Sequence, residues 1–229
     1  LRPSADAVRF GQDKLHQRRR MRELGFPVPA FAVATDAADV QAFAGEHGWP
    51  VVLKAVRGGY DGRGVVRVDS RSEAAQVLSA GDAQWYVEAM VPLACEAAVL
   101  TARRPSGEQV TYPVIETVQR DSILVELLMP ARIDDGLADQ AAALGREIVA
   151  KVDATGVVAV ELFITPDDEL LVNELALRPH NSGHATIEAS ATSQFHNHLR
   201  AVLDWPLGDP SMTAPAAALA NLLGGHETV

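Results

Sequence analysis

The sequence contains only one cysteine, Cys95, among 229 residues. A single cysteine excludes an intrachain disulfide framework and a cysteine metal cluster. No apolar run approaches the roughly 18 residues of a membrane span, and no leader peptide is recognisable, so we expect a cytoplasmic protein that does not act on a membrane. Basic residues are also few, 20 against 30 acidic ones, which leaves a formal charge of −10. That balance argues against nucleic acid as the main partner, although a local basic cleft for phosphate remains open.

The overall composition is that of an ordinary globular protein, with 48% hydrophobic and 22% charged residues. The length suits one large domain or two small lobes. The chain opens on Leu1 rather than methionine, and from this we expect that sequence upstream is absent.

A dense polar stretch follows the apolar run Leu170–Val172, which we predict to be a buried strand. A polar loop at the end of a rigid strand is a common place for reactive groups. Pro179 and Gly183 also allow the simpler interpretation of a solvated turn. Ordinary turns rarely carry this many types of ionisable side chain, so we predict a site for a charged ligand. Its polar residues are Asn173, Glu174, Arg178, His180, Asn181, Ser182 and His184.

A glycine-rich loop follows a strand that ends at Lys54, and it precedes the strand predicted for residues 65–68. Backbone N–H groups at the tip of such a hairpin can approach an anion closely. The loop is not a Walker A motif, because no Gly-Lys-Ser/Thr follows it. Most glycine clusters are flexible turns, but the nearby lysine favours a triphosphate cradle. The loop consists of Gly58, Gly59, Tyr60, Asp61, Gly62, Arg63 and Gly64.

Two carboxylates are predicted to face each other on a late hairpin of strands 157–164 and 170–174. If Asp167-Asp168 is a two-residue loop, Glu161 lies directly opposite Glu174. Their Cβ atoms would then be about 5 Å apart, and the like charges would repel unless a divalent cation such as Mg²⁺ lies between them. The alternatives are an accidental exposed acid and a register that slips by one residue with another loop length.

The remaining pattern predicts helices and antiparallel strands. A strongly basic helix covers residues 12–24, and we interpret most of its arginines as a solvated face. Strands are expected near 96–102, 110–117 and 123–128, followed by a helix from Asp134 or Asp135 to about Asp153. A last helix, 192–203, has Phe195, Leu199, Val202 and Leu203 on its apolar side.

Together these features resemble ATP-grasp enzymes. Within that superfamily, residues 58–64 and 173–184, supported by 192–195 and 221–224, resemble the 5-(carboxyamino)imidazole ribonucleotide synthases over about residues 12–225. The resemblance implies an α+β, ATP-grasp fold whose two lobes are each built on an antiparallel sheet with packed helices.

The same resemblance implies a domain organisation. Residues 1–10 would end a missing N-terminal α/β domain, and 11–88 would form the small lobe with the glycine loop. Residues 89–207 would form the large lobe, and 208–229 would begin a truncated C-terminal domain.

The resemblance also implies residue roles. The lysines would neutralise ATP phosphates, the glycine-loop backbone would close over them, the hinge at 88–91 would read the adenine edge, and Glu96 would bind the ribose. Glu161 and Glu174 would hold Mg²⁺ (or Mn²⁺), with Asn173 assisting. The ATP-binding set is Lys14, Lys54, Gly59, Tyr60, Asp61, Gly62, Arg63, Gly64, Glu88, Ala89, Met90, Val91, Glu96, Asn173 and Glu174.

The implied reaction carboxylates 5-aminoimidazole ribonucleotide with ATP and bicarbonate through carboxyphosphate, in purine biosynthesis. Arg178, His180, Asn181 and Ser182 would face bicarbonate, while Tyr60 and Asp61 would help to position the ribonucleotide. A homodimer is implied by the resemblance alone. The sequence departs from the family pattern at Leu177, Ala185 and Val65, and near Gln119.

Two other functions remain open. One is a different ATP-grasp ligase, such as a formate-dependent purine transformylase or a biotin carboxylase. The other is a nucleotide-binding module without catalysis, which would be expected to lack an acid or Arg178.

Overall fold

The computed structural model describes residues 4–58, 64–120 and 123–222. These residues form two antiparallel sheets, each with helices packed on it, and the predicted α+β class is confirmed. Within them, no helix is both long and apolar enough to cross a lipid bilayer.

The smaller lobe is a four-stranded sheet in the order β1-β4-β2-β3. Its helices pack on one face through Val40, Phe43 and Ala74 against Leu53 and Val87. An Asp36–Asp39 capping box starts the first of them, α3. The elements are β1 (Phe31–Ala34), α3 (Ala37–His47), β2 (Val51–Ala55), β3 (Val65–Val68), α4 (Arg71–Ser79) and β4 (Trp85–Ala89).

The larger lobe is a seven-stranded sheet in the order β10-β9-β5-β7-β8-β11, with β6 paired to β5. Helix α5 covers one face, and its Gly145 allows close approach to Val99, because a Cβ at this glycine would lie 2.5 Å from Val99 Cγ1. The elements are β5 (Cys95–Arg103), β6 (Gln109–Thr111), β7 (Ile115–Arg120), β8 (Ile123–Met129), α5 (Asp135–Lys151), β9 (Gly156–Ile164), β10 (Leu170–Ala176), a 3-10 turn (Asn181–Gly183), α6 (Thr186–Ala189), α7 (Gln194–Val202) and β11 (Ala217–Ala220).

The basic helix expected over 12–24 is in fact two helices, α1 (Ala5–Gln12) and α2 (Lys14–Glu23). Asp13 separates them because its backbone is extended, and its side chain caps α2 by accepting from the His16 N–H. Phe10 of α1 and Met21 of α2 are buried in the core of the larger lobe. Helix α1, which overlaps the segment expected to end an N-terminal domain (1–10), therefore packs on the larger lobe.

One further difference concerns the larger lobe: the strand expected at 110–117 is divided into β6 and β7. Within the sheet, β9 lies between β10 and β5. Strand β11, which lies in the segment expected to begin a C-terminal domain (208–229), pairs with β8 at the edge of the large sheet.

Helix α7 is oriented differently from what its apolar pattern indicates. The side that carries Leu199 and Phe195 is exposed, at 58% and 39%, whereas Gln194 and Asn197 are fully buried. This helix therefore packs through its polar face. A buried amide is tolerated only when it is hydrogen-bonded, so both amides are expected to have partners.

Candidate active site

The β9–β10 hairpin carries the two predicted carboxylates. Thr165 N–H donates to Glu169 O and Asp168 N–H donates to Thr165 O, both at 3.0 Å. The loop therefore has three residues, 166–168, and Asp168 lies in the left-handed region with φ 59°. The predicted two-residue loop is wrong.

A β-bulge in β10 compensates for this longer loop. Val172 pairs with Leu162, but the next pair is Glu174 with Glu161, so both Asn173 and Glu174 lie opposite Glu161. The predicted pairing of Glu161 with Glu174 is thus confirmed, although the bulge and not the loop length produces it.

Glu161 is the most strongly perturbed acid in the site. Burial, followed by the charges of Glu174 and Glu96, raises its pKa to about 7. Asn173 Nδ2 lies 3.4 Å from Glu161 Oε2, and His180 Nε2 lies 3.2 Å from Oε1. The carboxyl group therefore sits among a like charge, an amide donor and an imidazole.

Two lysines contact this acidic pair. Lys14 Nζ lies 2.7 Å from Glu174 Oε2, and Lys54 Nζ lies 3.0 Å from Asn173 Oδ1. Lys54 also forms a 2.5 Å ion pair with the buried Glu88. Burial lowers the pKa of Lys54, and the charge of Glu88 opposes that shift. Both cations point toward the space in front of the carboxylates.

Arg18 completes a buried ion cluster that sequence reasoning missed. Its side chain is 3% exposed and pairs with Glu88, which is 2% exposed. Its guanidinium also donates to the backbone carbonyls of Val172 and of Asn173, the latter at 2.7 Å. Arg18 thus links the end of the small sheet to the bulge in β10.

The neighbouring Gln17 forms hydrogen bonds with the backbone of the same strand, β10. Its Oε1 accepts from Leu175 N–H at 2.8 Å, and its Nε2 donates to Leu175 O at 3.0 Å. Strand β10 is at the edge of the sheet formed by the described residues, so these side chains take the place of a further strand. The signal in the sequence was the spacing of Lys14, Gln17 and Arg18, which puts all three on one helix face.

The polar loop lies beside the acids. Its 3-10 turn places His180 Nδ1 2.8 Å from Ser182 Oγ, and Asn181 Oδ1 accepts from Ser182 N–H at 2.9 Å. The exposed Arg178 donates from Nη1 to the Pro179 carbonyl at 2.9 Å. His180 therefore connects Ser182 to Glu161.

A cavity of about 740 Å³ lies between the two sheets, within the usual range for small-molecule sites. Its apolar walls come from Val52 and Val65 of the small sheet and from Phe163 and Leu124 of the large one. The structure brings these predicted residues to its lining: Lys14, Lys54, Glu88, Ala89, Met90, Val91, Glu96, Glu161, Asn173, Glu174, Arg178, His180, Asn181 and Ser182.

Glu96 lines the same cavity from β5. Its Oε2 accepts a 2.9 Å hydrogen bond from Gln119 Nε2. Burial raises the pKa of Glu96, and the charge of Lys54 opposes this shift. Gln119, near which the sequence departs from the family pattern, thus holds this acid in place.

The glycine loop can be followed only at its ends. Gly59, Tyr60, Asp61, Gly62 and Arg63 lie outside the described residues. Gly58 and Gly64, which flank them, have φ of 76° and 78°, a conformation that favours glycine. Lys14 N–H donates to Val56 O at 2.9 Å, so the start of α2 is tied to the chain that enters the loop.

The donor set suits a hard cation. No cluster of three or more His, Cys, Asp or Glu side chains with metal-binding geometry occurs in the described part of the chain. Mg²⁺, however, is commonly held by one or two carboxylates together with water and substrate phosphates. Glu161 and Glu174 offer those carboxylates. The negative charge of Glu174 helps to raise the pKa of Glu161, and a cation between the two groups would lower that pKa again. The residues therefore fit such an ion.

Two antiparallel-sheet lobes that enclose paired acids and lysines define the ATP-grasp class. A family model described as ATP-grasp domain matches residues 19–195, and the chain belongs to this family. Within the family, the chain is 47% identical to the N5-carboxyaminoimidazole ribonucleotide synthase of Mycobacterium tuberculosis, in an alignment that covers 98% of this chain and 53% of that protein. The chain thus spans about half the length of the curated relatives it matches.

Solved structures of carboxyaminoimidazole ribonucleotide synthases have the same fold as this chain. The carboxyaminoimidazole ribonucleotide synthase of Aspergillus clavatus complexed with ATP matches with a TM-score of 0.92 at 37% identity, over 98% of this chain and 60% of that one. The Aspergillus clavatus enzyme in complex with ADP and 5-aminoimidazole ribonucleotide matches with a TM-score of 0.91 at 35% identity, over the same shares of the two chains.

Proposed function

We propose that this chain is the ATP-grasp part of an enzyme that carboxylates 5-aminoimidazole ribonucleotide to 5-(carboxyamino)imidazole ribonucleotide, with ATP and bicarbonate, in purine biosynthesis. The observation that carries the proposal is that the acids Glu161 and Glu174 converge with Lys14, Lys54 and the Arg178–Ser182 loop on one cavity. The names of the relatives and the ligands of the solved structures support it.

ATP would lie in the cavity between the sheets. Lys14 and Lys54 would neutralise its phosphates, and the apolar walls would receive the base beside the backbone of residues 88–91. Glu96, held by Gln119, would accept the ribose hydroxyls. The glycine loop, including Gly59, Gly62, Arg63 and Gly64, would cover the phosphates and exclude water.

Mg²⁺ held by Glu161 and Glu174 would supply positive charge at the phosphates, which is the usual role of the ion in phosphoryl transfer. Asn173 assists by holding its amide between Lys54 Nζ and Glu161 Oε2. The bulge is what allows the amide and both carboxylates to share one face of the hairpin.

The carboxylating chemistry would occur at the polar loop. Bicarbonate oxygen attacks the γ-phosphorus of ATP, the bond to the β-phosphate oxygen breaks, and carboxyphosphate and ADP form. Carboxyphosphate releases CO₂ and phosphate, and the exocyclic amine captures the CO₂ and gives up a proton to the released phosphate. Arg178 would stabilise the developing negative charge, and Asn181 and the His180–Ser182 pair would orient bicarbonate. Tyr60 and Asp61 would position the ribonucleotide.

The test is ADP release by the full-length protein with Mg²⁺ and bicarbonate, with and without 5-aminoimidazole ribonucleotide. We expect strong stimulation by the ribonucleotide and a labile carbamate product. ATP turnover without stimulation would refute the substrate and favour another ATP-grasp ligase. ATP binding without turnover would favour a nucleotide-binding module. In the same assay, Glu161→Gln should raise the Mg²⁺ concentration that is required.

Arg178→Ala tests the role of the loop. We expect bicarbonate-dependent ADP formation to fall by roughly 100-fold, the scale of losing one group that stabilises transition-state charge. The Kd for ATP should change by less than about 2-fold, since the proposed role of Arg178 is to stabilise charge that develops at the reacting centre and not to bind ATP in the ground state. Arg200→Ala is the matched control, because Arg200 is also exposed and also donates to a proline carbonyl, Pro206 O, at 3.0 Å. Equal losses in the two variants would contradict the assignment.

We further propose that the whole protein is cytoplasmic, which fits the single cysteine of this chain, and, on the resemblance alone, that it is a homodimer.

A further inference from the structure

The buried face of α7 carries an amide that binds the backbone of one residue of the polar loop. Gln194 is fully buried. Its Oε1 accepts from His180 N–H at 2.9 Å, and its Nε2 donates to His180 O at 2.7 Å. One side chain thus binds both backbone groups of His180, as a neighbouring strand would, and the His180 carbonyl also accepts from Gly183 N–H at 3.0 Å.

A second contact fixes the loop to the start of α7. Thr186 Oγ1 accepts from Gln194 N–H at 3.0 Å and donates to Gly183 O at 2.6 Å. Gly183 leaves no spare space, because a Cβ there would lie 2.6 Å from Gln194 Oε1 and 2.2 Å from Leu100 Cδ2. The loop is therefore held against Gln194 on both sides of its turn.

The hydrogen bonds that Gln194 makes to His180 and Thr186 makes to Gly183, together called the clamp, determine where the His180 imidazole lies. The ring contacts Ser182 Oγ at 2.8 Å through Nδ1 and Glu161 Oε1 at 3.2 Å through Nε2. Two contacts at opposite ends of one ring require a fixed backbone position, since a displacement of about 1 Å is enough to lose a productive geometry. Gln194 itself contacts backbone, and its effect on the cavity passes through His180.

We propose that Gln194 is a positioning residue, which holds the His180 backbone so that the imidazole bridges Ser182 and Glu161 for the bicarbonate-dependent step. The expected kinetic effect rests on the proposed function. The clamp itself rests on hydrogen-bond geometry alone.

Asn197 provides a matched control on the same helix. It is also fully buried, and its amide binds both backbone groups of one residue, accepting from Gly208 N–H at 2.7 Å and donating to Gly208 O at 3.1 Å. Gly208 is not among the residues that line the cavity. Gln194→Met and Asn197→Leu therefore remove similar clamps from different loops, and Asn197→Leu also removes a 2.8 Å hydrogen bond from Nδ2 to Tyr112 Oη.

The kinetic experiment compares these variants in the full-length protein. For Gln194→Met we expect kcat for bicarbonate-dependent ADP formation to fall roughly 10- to 100-fold, with the Kd for ATP within about 2-fold of wild type. Asn197→Leu, with a comparable loss of Tm, should keep kcat within about 3-fold, because it displaces no group of the site. Equal loss of kcat in both, or normal kcat in Gln194→Met, would overturn the proposal.

A second measurement needs no catalysis. Hydrogen–deuterium exchange of ligand-free protein should show faster exchange in the peptide that contains His180 for Gln194→Met, and not for Asn197→Leu. Gln194→Asn, which is too short to reach both backbone groups, should show the same pattern with a smaller loss of Tm. Unchanged exchange overturns the clamp, whereas inactive wild-type protein with the expected exchange pattern overturns only the proposed reaction.

Discussion

Replacing Arg18 with methionine tests whether α2 holds the bulge of β10. The substitution keeps much of the side-chain volume but removes the guanidinium that contacts Glu88 and the carbonyls of Val172 and Asn173. Because Arg18 and Glu88 are 3% and 2% exposed, water cannot easily replace these interactions.

The expected loss in the free energy of unfolding follows from the ion pair and the hydrogen bonds that Arg18→Met removes. Breaking a buried ion pair by removing one partner costs about 3–5 kcal/mol, and each buried carbonyl left without a donor costs about 1–3 kcal/mol. Lys54 remains 2.5 Å from Glu88 and offsets part of the first cost. Neighbouring effects of this kind do not add, so we expect a loss of about 3–5 kcal/mol in the free energy of unfolding. Arg18→Lys keeps the charge but not the planar fork, and should lose about 1–3 kcal/mol.

Urea unfolding followed by circular dichroism measures both variants. Arg19→Met, at an exposed position on the same helix, is the control and should remain within about 0.5 kcal/mol of wild type. A loss of less than about 1 kcal/mol in Arg18→Met, or wild-type stability in Arg18→Lys, would refute the reasoning that a forked, buried donor is required.

Two further predictions concern stability. Gly145→Ala should destabilise the protein by about 1–3 kcal/mol, because its Cβ would lie 2.5 Å from Val99 Cγ1. Gly45→Ala, whose Cβ would meet nothing within 4 Å, should stabilise it by about 0.5–1 kcal/mol, and thermal unfolding that gives both changes the same sign would contradict the packing argument. Burial lowers the pKa of His198, so the unfolded state binds a proton at this residue more readily, and the contribution of His198 to stability should fall as pH drops below about 6.5. Compared with wild type, His198→Asn should therefore lose less stability, or gain more, between pH 7 and pH 5, while His196→Asn on the exposed side of α7 should follow the wild-type profile; parallel profiles for His198→Asn and wild type would contradict the prediction.

The carboxylate pair shows how far sequence reasoning reached. Both acids and their apposition were predicted, but from a two-residue loop that the structure does not contain. A three-residue loop shifts the register by one, and the bulge at Asn173 shifts it back. The bulge could not be predicted, because no local turn signal marks it and the donors that satisfy its carbonyls lie on α2, more than 150 residues away.

Helix α7 is a case in which the sequence pattern predicted the wrong buried face. Its apolar side was expected to be buried, but Leu199 faces solvent, whereas Gln194 and Asn197 are buried and hydrogen-bonded to the backbone of other segments. The same holds for Arg18, whose burial depends on Glu88 from another strand.

The sequence by itself determined the α+β class, the order of most elements and which residue types carry chemistry, because periodicity, glycine runs and polar motifs are local properties of the chain. Only the tertiary structure decided which of these groups meet. The lysines at 14 and 54, the acids of β9 and β10 and the loop at 178–182 come from distant segments, and they converge because two sheets close around one cavity. Buried charges and amides take their positions from the partners that offset their desolvation, and those partners are set by the fold rather than by neighbours in sequence.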